Sequence, residues 1–312
     1  MQCLIDLDIL LYEVGSIGQY VDEISEEIVM KSFDVVSEAF DQKVLEIEGE
    51  VWATEESLFF MTDNKQVYKA REKKKAKALK RAIKKQEAKP LDAFNNNLVD
   101  IYQPSKYIPN FRDKVAKKKV YKGNRKDSKR PLHYDNLVAY VCATRDVTCA
   151  RGCEADDLLA IHQFKSEPLT TVICSRDKDL KIIPGMHYGW ACGMQKAFPF
   201  SEVKEVGSLE LIGGKKLVGT GLKFFYSQIL TGDVTDNYPG LPRCGGVKAF
   251  KALEECNDEG EMFNAVRGLY RASYGEDEWH TEMEEQAQLA WMVKELNEDG
   301  SLKHYVMYDE RA

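Results

Sequence analysis

The chain has 312 residues, 44% hydrophobic and 30% charged, with a formal net charge of −7. That is the composition of an ordinary globular protein with enough apolar content for a sizeable core, and no run approaches the 18 or more apolar residues of a membrane span. The eight cysteines include no CxxC pair and the five histidines show no ligand spacing, which argues against a zinc site and for reduced thiols in an intracellular, cytoplasmic protein.

Three apolar runs read as buried strands, each leading into an acid: CLID (3–6), SLFFMTD (57–63) and TTVICSRD (170–177). Between the first two, Val29, Phe33, Val36, Phe40, Val44 and Ile47 recur at steps of three and four, which predicts one long amphipathic helix. Strand, helix, strand alternation predicts an α/β fold with a mainly parallel central sheet flanked by helices. Ligands of such sheets gather beyond the carboxyl ends of the strands, where Asp6, Asp63 and Asp177 fall.

Between Lys65 and Arg130, 23 Lys and Arg accompany 6 Asp and Glu, a balance of +17, while the rest of the chain carries −24. An acidic body with one basic segment predicts a polyanion met by the segment and cations held by the body. Residues 70–90 fit a helix with only a thin apolar stripe, or a chain that orders on a polyanion. Past a loop marked by Pro104 and Pro109, positive charge resumes, interleaved with Phe111 and Tyr121.

At 153–161, CEADDLLAI crowds Glu154, Asp156 and Asp157 ahead of a helix. Acids in a first helical turn gain about 0.3–1 kcal/mol each from the helix dipole. Two like charges about 4 Å apart, however, repel by about 4 kcal/mol at an effective dielectric near 20, so positive charge belongs nearby. Further on, LTGDVTDNYPGLPRCGGVKAFKAL reads as a helix, a glycine-rich hairpin and a second helix. Residues 284–300 are predicted to be helical, with Leu289, Met292, Val293 and Leu296 facing inward and Gly300 near the stop.

The acids fall into five groups: Asp6; Asp63; Glu154, Asp156 and Asp157; Asp177 and Asp179; Asp233 and Asp236. Hard divalent cations need such oxygen shells, and a pair of ions about 3.5–4 Å apart can activate water and stabilise the departing oxygen of a phosphodiester.

LIDLD (4–8), YKGNR (121–125), GCEADDLLA (152–160), SRDKDLKIIPG (175–185) and TGDVTDNYPGLPRCGGVKA (231–249), in that order, resemble motifs of the flap endonuclease and 5′ to 3′ exonuclease family. The likeness is greatest to the bacteriophage exonucleases related to the 5′-nuclease domain of bacterial DNA polymerase. The resemblance implies a PIN-like core over 1–230, including a basic insertion and helical arch at 65–130, followed by a helix, three turns, helix element and C-terminal helical region over 231–312.

It further implies that Asp6, Asp63, Glu154, Asp156, Asp157, Asp177, Asp179, Asp233 and Asp236 hold two Mg2+ (or Mn2+) ions, with Asp156 and Asp157 catalytic. Lys122 and Arg125 would clamp the scissile phosphate, and Tyr121 would stack on a base. Gly245, Gly246 and Lys248 would contact duplex phosphates, with K+ at the glycine hairpin. The implied partner is DNA with 5′ ends, flaps or duplex to single-strand junctions, or an RNA–DNA hybrid. The implied reaction is hydrolysis near a 5′ end to 5′-phosphate products in phage DNA replication, primer removal or recombination, by a monomer.

Arg243 stands where the family commonly has glycine, and the lysine-rich stretch 65–100 is longer than usual. Two other readings stay open on the sequence: a PIN-like ribonuclease, and a structure-specific DNA-binding protein without catalysis.

Overall fold

The computed structural model describes residues 1–23, 27–62, 108–125, 129–193 and 195–310. In chain order it runs β1 (Gln2–Asp6), α1 (Leu7–Ile17), β2 (Gln19–Val21), β3 (Ile28–Met30), α2 (Phe33–Glu50), β4 (Leu58–Thr62), α3 (Arg112–Val115), α4 (Tyr134–Thr144) and β5 (Val147–Ala150). It continues α5 (Ala155–Lys165), β6 (Thr171–Cys174), β7 (Gly185–Gly189), β8 (Phe198–Val203), β9 (Ser208–Ile212), β10 (Lys216–Thr220), α6 (Gly221–Thr231), α7 (Gly246–Leu253) and α8 (Glu259–Ala290).

The three predicted strands form the middle of a six-stranded sheet of order β5-β4-β1-β6-β7-β8. All neighbours are parallel except the edge strand β8. Leu4 of β1 pairs with Leu58 on one side and Ile173 on the other, so the carboxyl ends of β1, β4 and β6 lie together. Alternate residues of β1 enter opposite faces, each covered by helices, as a near-continuous apolar strand requires. Cys3 and Ile5 join Leu10, Phe40 and Leu137 of α1, α2 and α4. Leu4 joins Leu159, Phe225 and Ala287 of α5, α6 and α8. The fold is thus the α/β class expected. All eight cysteines are free thiols, and no described helix is long and apolar enough to cross a membrane.

Two expected helices have different bounds. The first begins at Phe33, where the Ser32 hydroxyl accepts the Asp34 N–H at 3.3 Å; Val29 belongs instead to the β2–β3 hairpin. The last ends at Ala290 rather than near Gly300, because buried groups claim the backbone beyond it. The Arg112 guanidinium donates to Leu289 O at 3.4 Å and Trp291 O at 2.6 Å, and Asp157 accepts the Val293 N–H at 2.9 Å. Val293 is still buried, from an extended segment. The α8 span also breaks at Gly275, whose φ of 77° is non-helical.

His187 in β7 is buried and donates Nε2–H to Ile183 O at 2.7 Å. Burial holds its imidazole down at about 4, against an ordinary 6.5. The folded state therefore favours the neutral ring, and its contribution is complete above pH 6.5 and lost as pH falls toward 4. Urea unfolding at pH 7 and pH 5 should show the parent losing about 2 kcal/mol more than His187→Gln over that interval. Equal losses would refute the assignment.

Candidate metal centre and nucleic-acid interface

The carboxyl end of the sheet is built by local turns and by hydrogen bonds between strand ends that aim acids at one spot. Asp6 ends β1 and caps α1, accepting the Asp8 N–H at 2.9 Å, and the Ser175 hydroxyl beyond β6 donates to its other oxygen at 2.7 Å. Asp8 accepts the Thr62 N–H at the end of β4 (3.0 and 3.2 Å to its two oxygens). The Thr62 hydroxyl in turn accepts the Ala155 N–H at the start of α5, at 2.9 Å. Asp177 donates its N–H to Ser175 Oγ at 2.9 Å and accepts the Asp179 N–H at 2.8 Å.

The crowded acids of α5 diverge into three environments. Glu154, the N-cap residue, accepts from Lys122 Nζ at 2.5 Å and from the Tyr121 hydroxyl at 2.9 Å. Asp157, fully buried one turn on, accepts both guanidinium arms of Arg112 at 2.7 and 2.9 Å as well as the Glu154 N–H at 3.0 Å. Asp156 accepts no hydrogen bond and makes no ion pair among the described residues.

Asp156 instead faces a groove of about 910 Å3 that also exposes Asp6, Asp8, Glu154, Asp177, Lys122 and Arg125. Six acids and three bases line it, an excess of negative charge. Burial and the nearby Asp8 push the Asp6 carboxyl up to about 7. Burial, with Asp177, Asp6 and Glu154 beside it, raises Asp156 well above the ordinary carboxylate range, and burial also raises Asp8 and Asp177. Glu154 is the exception: burial would raise it, but Lys122 and Arg112 bring it down to about 2. Among the described residues the protein's own cations pair directly with Glu154 and Asp157, whereas Asp6, Asp8, Asp156 and Asp177 make no ion pair and the last three feel Lys122 only at longer range.

The other expected acids lie further along. Asp236 accepts from the Tyr121 hydroxyl at 3.0 Å and from Arg125 at 2.8 Å, and burial raises its carboxyl. Asp179 and Asp233 are bridged by Lys178 outside the groove. Asp63 lies outside the described residues, as does most of the basic insertion.

Several expectations are corrected. Asp157 does not face the groove; both its oxygens are consumed by Arg112 and by backbone N–H groups, so its role is to anchor the start of α5. Tyr121 is 6% exposed and spends its hydroxyl on Glu154 and Asp236, which leaves no free ring face for a base. Lys122 and Arg125 are not on a regular helix: Lys122 has φ 51° and Gly123–Arg125 is a single 3-10 turn. That turn is pinned to the 233–238 loop, where Lys122 N–H donates to Asp236 O at 2.9 Å and Asn237 to Val120 O at 2.8 Å. The two basic groups nevertheless reach the same groove.

Sequence reasoning missed four residues. Asp8 could have been found, since its spacing from Asp6 places two acids at one strand-to-helix junction. Tyr12, two turns into α1 from Asp6, lines the groove 5.1 Å from the Tyr134 ring, a partly exposed aromatic face of the kind bases stack on. Arg112 and Lys178 sat among many basic residues with nothing local to mark them.

The helix, glycine-rich turns and second helix are present as α6, 232–245 and α7. Gly232 (φ 67°) and Gly240 (φ 65°) pack backbone to backbone; a Cβ on Gly240 would lie 2.2 Å from Gly232 N. Arg243 adopts φ 58°, so the turn holds a left-handed residue that is not glycine. Gly245, Gly246 and Lys248 stand at the start of α7, where a shallow cavity of about 510 Å3 also exposes Lys215 and Lys251.

The donors available to a metal are carboxylate oxygens, the set suited to Mg2+ or Mn2+. Among the described residues no three acidic, imidazole or thiol groups already stand as a closed cage. The fit rests on donor chemistry and surplus charge.

No protein-family model matches the chain, and no curated protein is recognisably similar to it. Similar solved structures include the bacteriophage T5 D15 protein crystallised with metal ions, with 10% identity and TM-score 0.48 over 94% of this chain and 91% of that one. A bacteriophage T5 D15 flap endonuclease complex with DNA and metal ions has 11% identity and TM-score 0.46 over 93% and 99%. T5 5′-exonuclease with bound zinc has 11% identity and TM-score 0.44 over 93% and 100%. At such identity no residue assignment carries over.

Two stability measurements check this geometry. Arg112→Ala leaves Asp157 charged and unpaired in the core and should cost about 3–5 kcal/mol in urea unfolding. Arg243→Gly relieves a left-handed arginine, worth about 1–2 kcal/mol, against about 0.5–1 kcal/mol of added chain entropy, so it should raise stability by up to about 1 kcal/mol. A destabilised Arg243→Gly would contradict the turn geometry.

Proposed function

We propose that the chain is a metal-dependent nuclease that hydrolyses DNA phosphodiesters near 5′ ends. The observation that carries this reading is the groove at the carboxyl end of the sheet, where Asp6, Asp8, Asp156 and Asp177 stand without an ion pair among the described residues while Lys122 and Arg125 line the same space. Four carboxylates are costly to bury without cations. The two adjacent cationic groups pair elsewhere, Lys122 with Glu154 and Arg125 with Asp236, and neither makes an ion pair with those four acids.

Asp6, Asp156 and Asp177, with Glu154 and Asp8 beside them, would hold Mg2+ or Mn2+, and Asp63 completes the proposed set. Bound there, the metal would supply an activated water and charge neutralisation at the phosphate. Lys122 and Arg125 keep further N–H donors for a phosphate oxygen, and their docking on the 233–238 loop fixes where that phosphate sits. Tyr12 takes the base-stacking role first expected of Tyr121. The backbone N–H groups at the start of α7, with Lys248, position duplex phosphates remote from the groove.

Nicked, gapped and flapped DNA labelled at either end, and RNA annealed to DNA, should yield Mg2+-dependent small products from the 5′ side of DNA. EDTA should abolish them. Asp156→Asn should lower turnover roughly a thousandfold, about 4 kcal/mol of transition-state stabilisation, with DNA affinity changed little. Parent-level turnover in that variant sinks the metal assignment, and cleavage confined to RNA would favour the ribonuclease reading.

A further inference from the structure

Asp233 lines a second cavity, of about 330 Å3, with Lys178, Phe224, Gln228 and Thr231. Lys178 Nζ lies 2.8 Å from Asp179 Oδ1 and also contacts Asp233 Oδ2, so one ammonium serves a half-buried and a buried carboxylate. Gln228 donates its amide to the same Asp179 oxygen, while its own Oε1, buried in a residue 3% exposed, has no partner among the described residues. Two carboxylates and an unused amide oxygen form a hard-donor set, and the cation present is the protein's own.

That cation is not locked in. The Lys178 side chain is 53% exposed, while its carboxylate partners are 13% and 6% exposed. Its ammonium rests 5.9 Å from the Phe224 ring at the cavity edge, so the stem can swing to solvent without disturbing the core. Asp233 cannot follow, since its Oδ1 is tied by the Thr235 and Asp236 N–H groups, at 2.5 and 3.1 Å. Left without any cation, the pair would repel in a poorly solvated setting.

We propose that Lys178 is an internal counter-cation that occupies the Asp179–Asp233 pair until a divalent ion displaces it. The second ion of the centre then binds in competition with the protein's own ammonium. The inference rests on the metal-dependent reading above and adds to it a reason for unequal affinities. The apparent affinity of the second ion is lowered by the fraction of time Lys178 is seated.

Mn2+ bound to the full-length protein without DNA can be counted by electron paramagnetic resonance for the parent, Lys178→Met and Lys178→Arg, with circular dichroism as the folding control. Lys178→Met should bind the second ion roughly three- to tenfold more tightly, with the first ion unchanged, and Lys178→Arg should show no such gain. A second ion bound no more tightly by Lys178→Met overturns the proposal and makes Lys178 a permanent bridge.

Should Lys178→Met fail to fold, reductive methylation of the parent, read by mass spectrometry, decides. Saturating Mn2+ should speed labelling of Lys178 at least about threefold as it leaves its seat, and an unchanged rate overturns the idea. If the parent binds no Mn2+ at all, the nuclease reading falls together with this one. A tight first ion with no effect of Lys178→Met removes the lysine assignment and leaves the nuclease reading standing.

Discussion

Three acids in the first turn of one helix can coexist only if their charges are sent in different directions, and the rest of the structure follows from how α5 does this. Asp157 turns inward to a fully buried guanidinium, Glu154 turns sideways to Lys122, and Asp156 turns out to the groove. The Arg112–Asp157 pair is bidentate and carries additional backbone hydrogen bonds, the condition under which a buried ion pair offsets its desolvation. Its reach is long in sequence: it joins residue 112 to 157 and to the segment after α8, closing the C-terminal chain over the sheet.

The same division of charge sets up the chemistry. Among the described residues, cations pair with the acids that hold the architecture, whereas Asp6, Asp156 and Asp177 make no ion pair and burial raises their proton affinities. Surplus anionic charge in a preformed groove is stored binding energy for a cation, and it is positioned by rigid elements: a strand end, a helix cap and a hydroxyl-bridged turn. Lys122 and Arg125 sit across that groove on a turn that is itself pinned to the 233–238 loop. The proposed metal site and phosphate contact would therefore be held by one network, which Asp177 extends to the Asp179–Asp233 pair by accepting the Asp179 N–H.

Much of this was legible in the residues. The runs CLID, SLFFMTD and TTVICSRD were marked as strands by β-branched and aromatic residues leading into acids, and the parallel sheet followed from the alternation with amphipathic helices. The strand ends predicted the convergence of Asp6, Asp63 and Asp177; Asp6 and Asp177 line one groove, and Asp63 lies outside the described residues. The start of α2 was misplaced because Val29 keeps the helical spacing although its backbone is paired with Tyr20 in a hairpin. The end of α8 was misplaced because the apolar period through Val293 continues after the carbonyls and N–H groups have been taken by Arg112 and Asp157.

By itself the sequence determined the class of fold, the end of the sheet that carries the acids and the separation of basic segment from acidic body, because these depend on periodicity and composition, which are local. Only the tertiary structure decided which acids are spent on internal cations and which remain available. Arg112 and Lys178 are two among many bases in the chain; pairing with Asp157 and Asp233 is what distinguishes them, and ion pairs that span 45 and 55 residues leave no periodic trace.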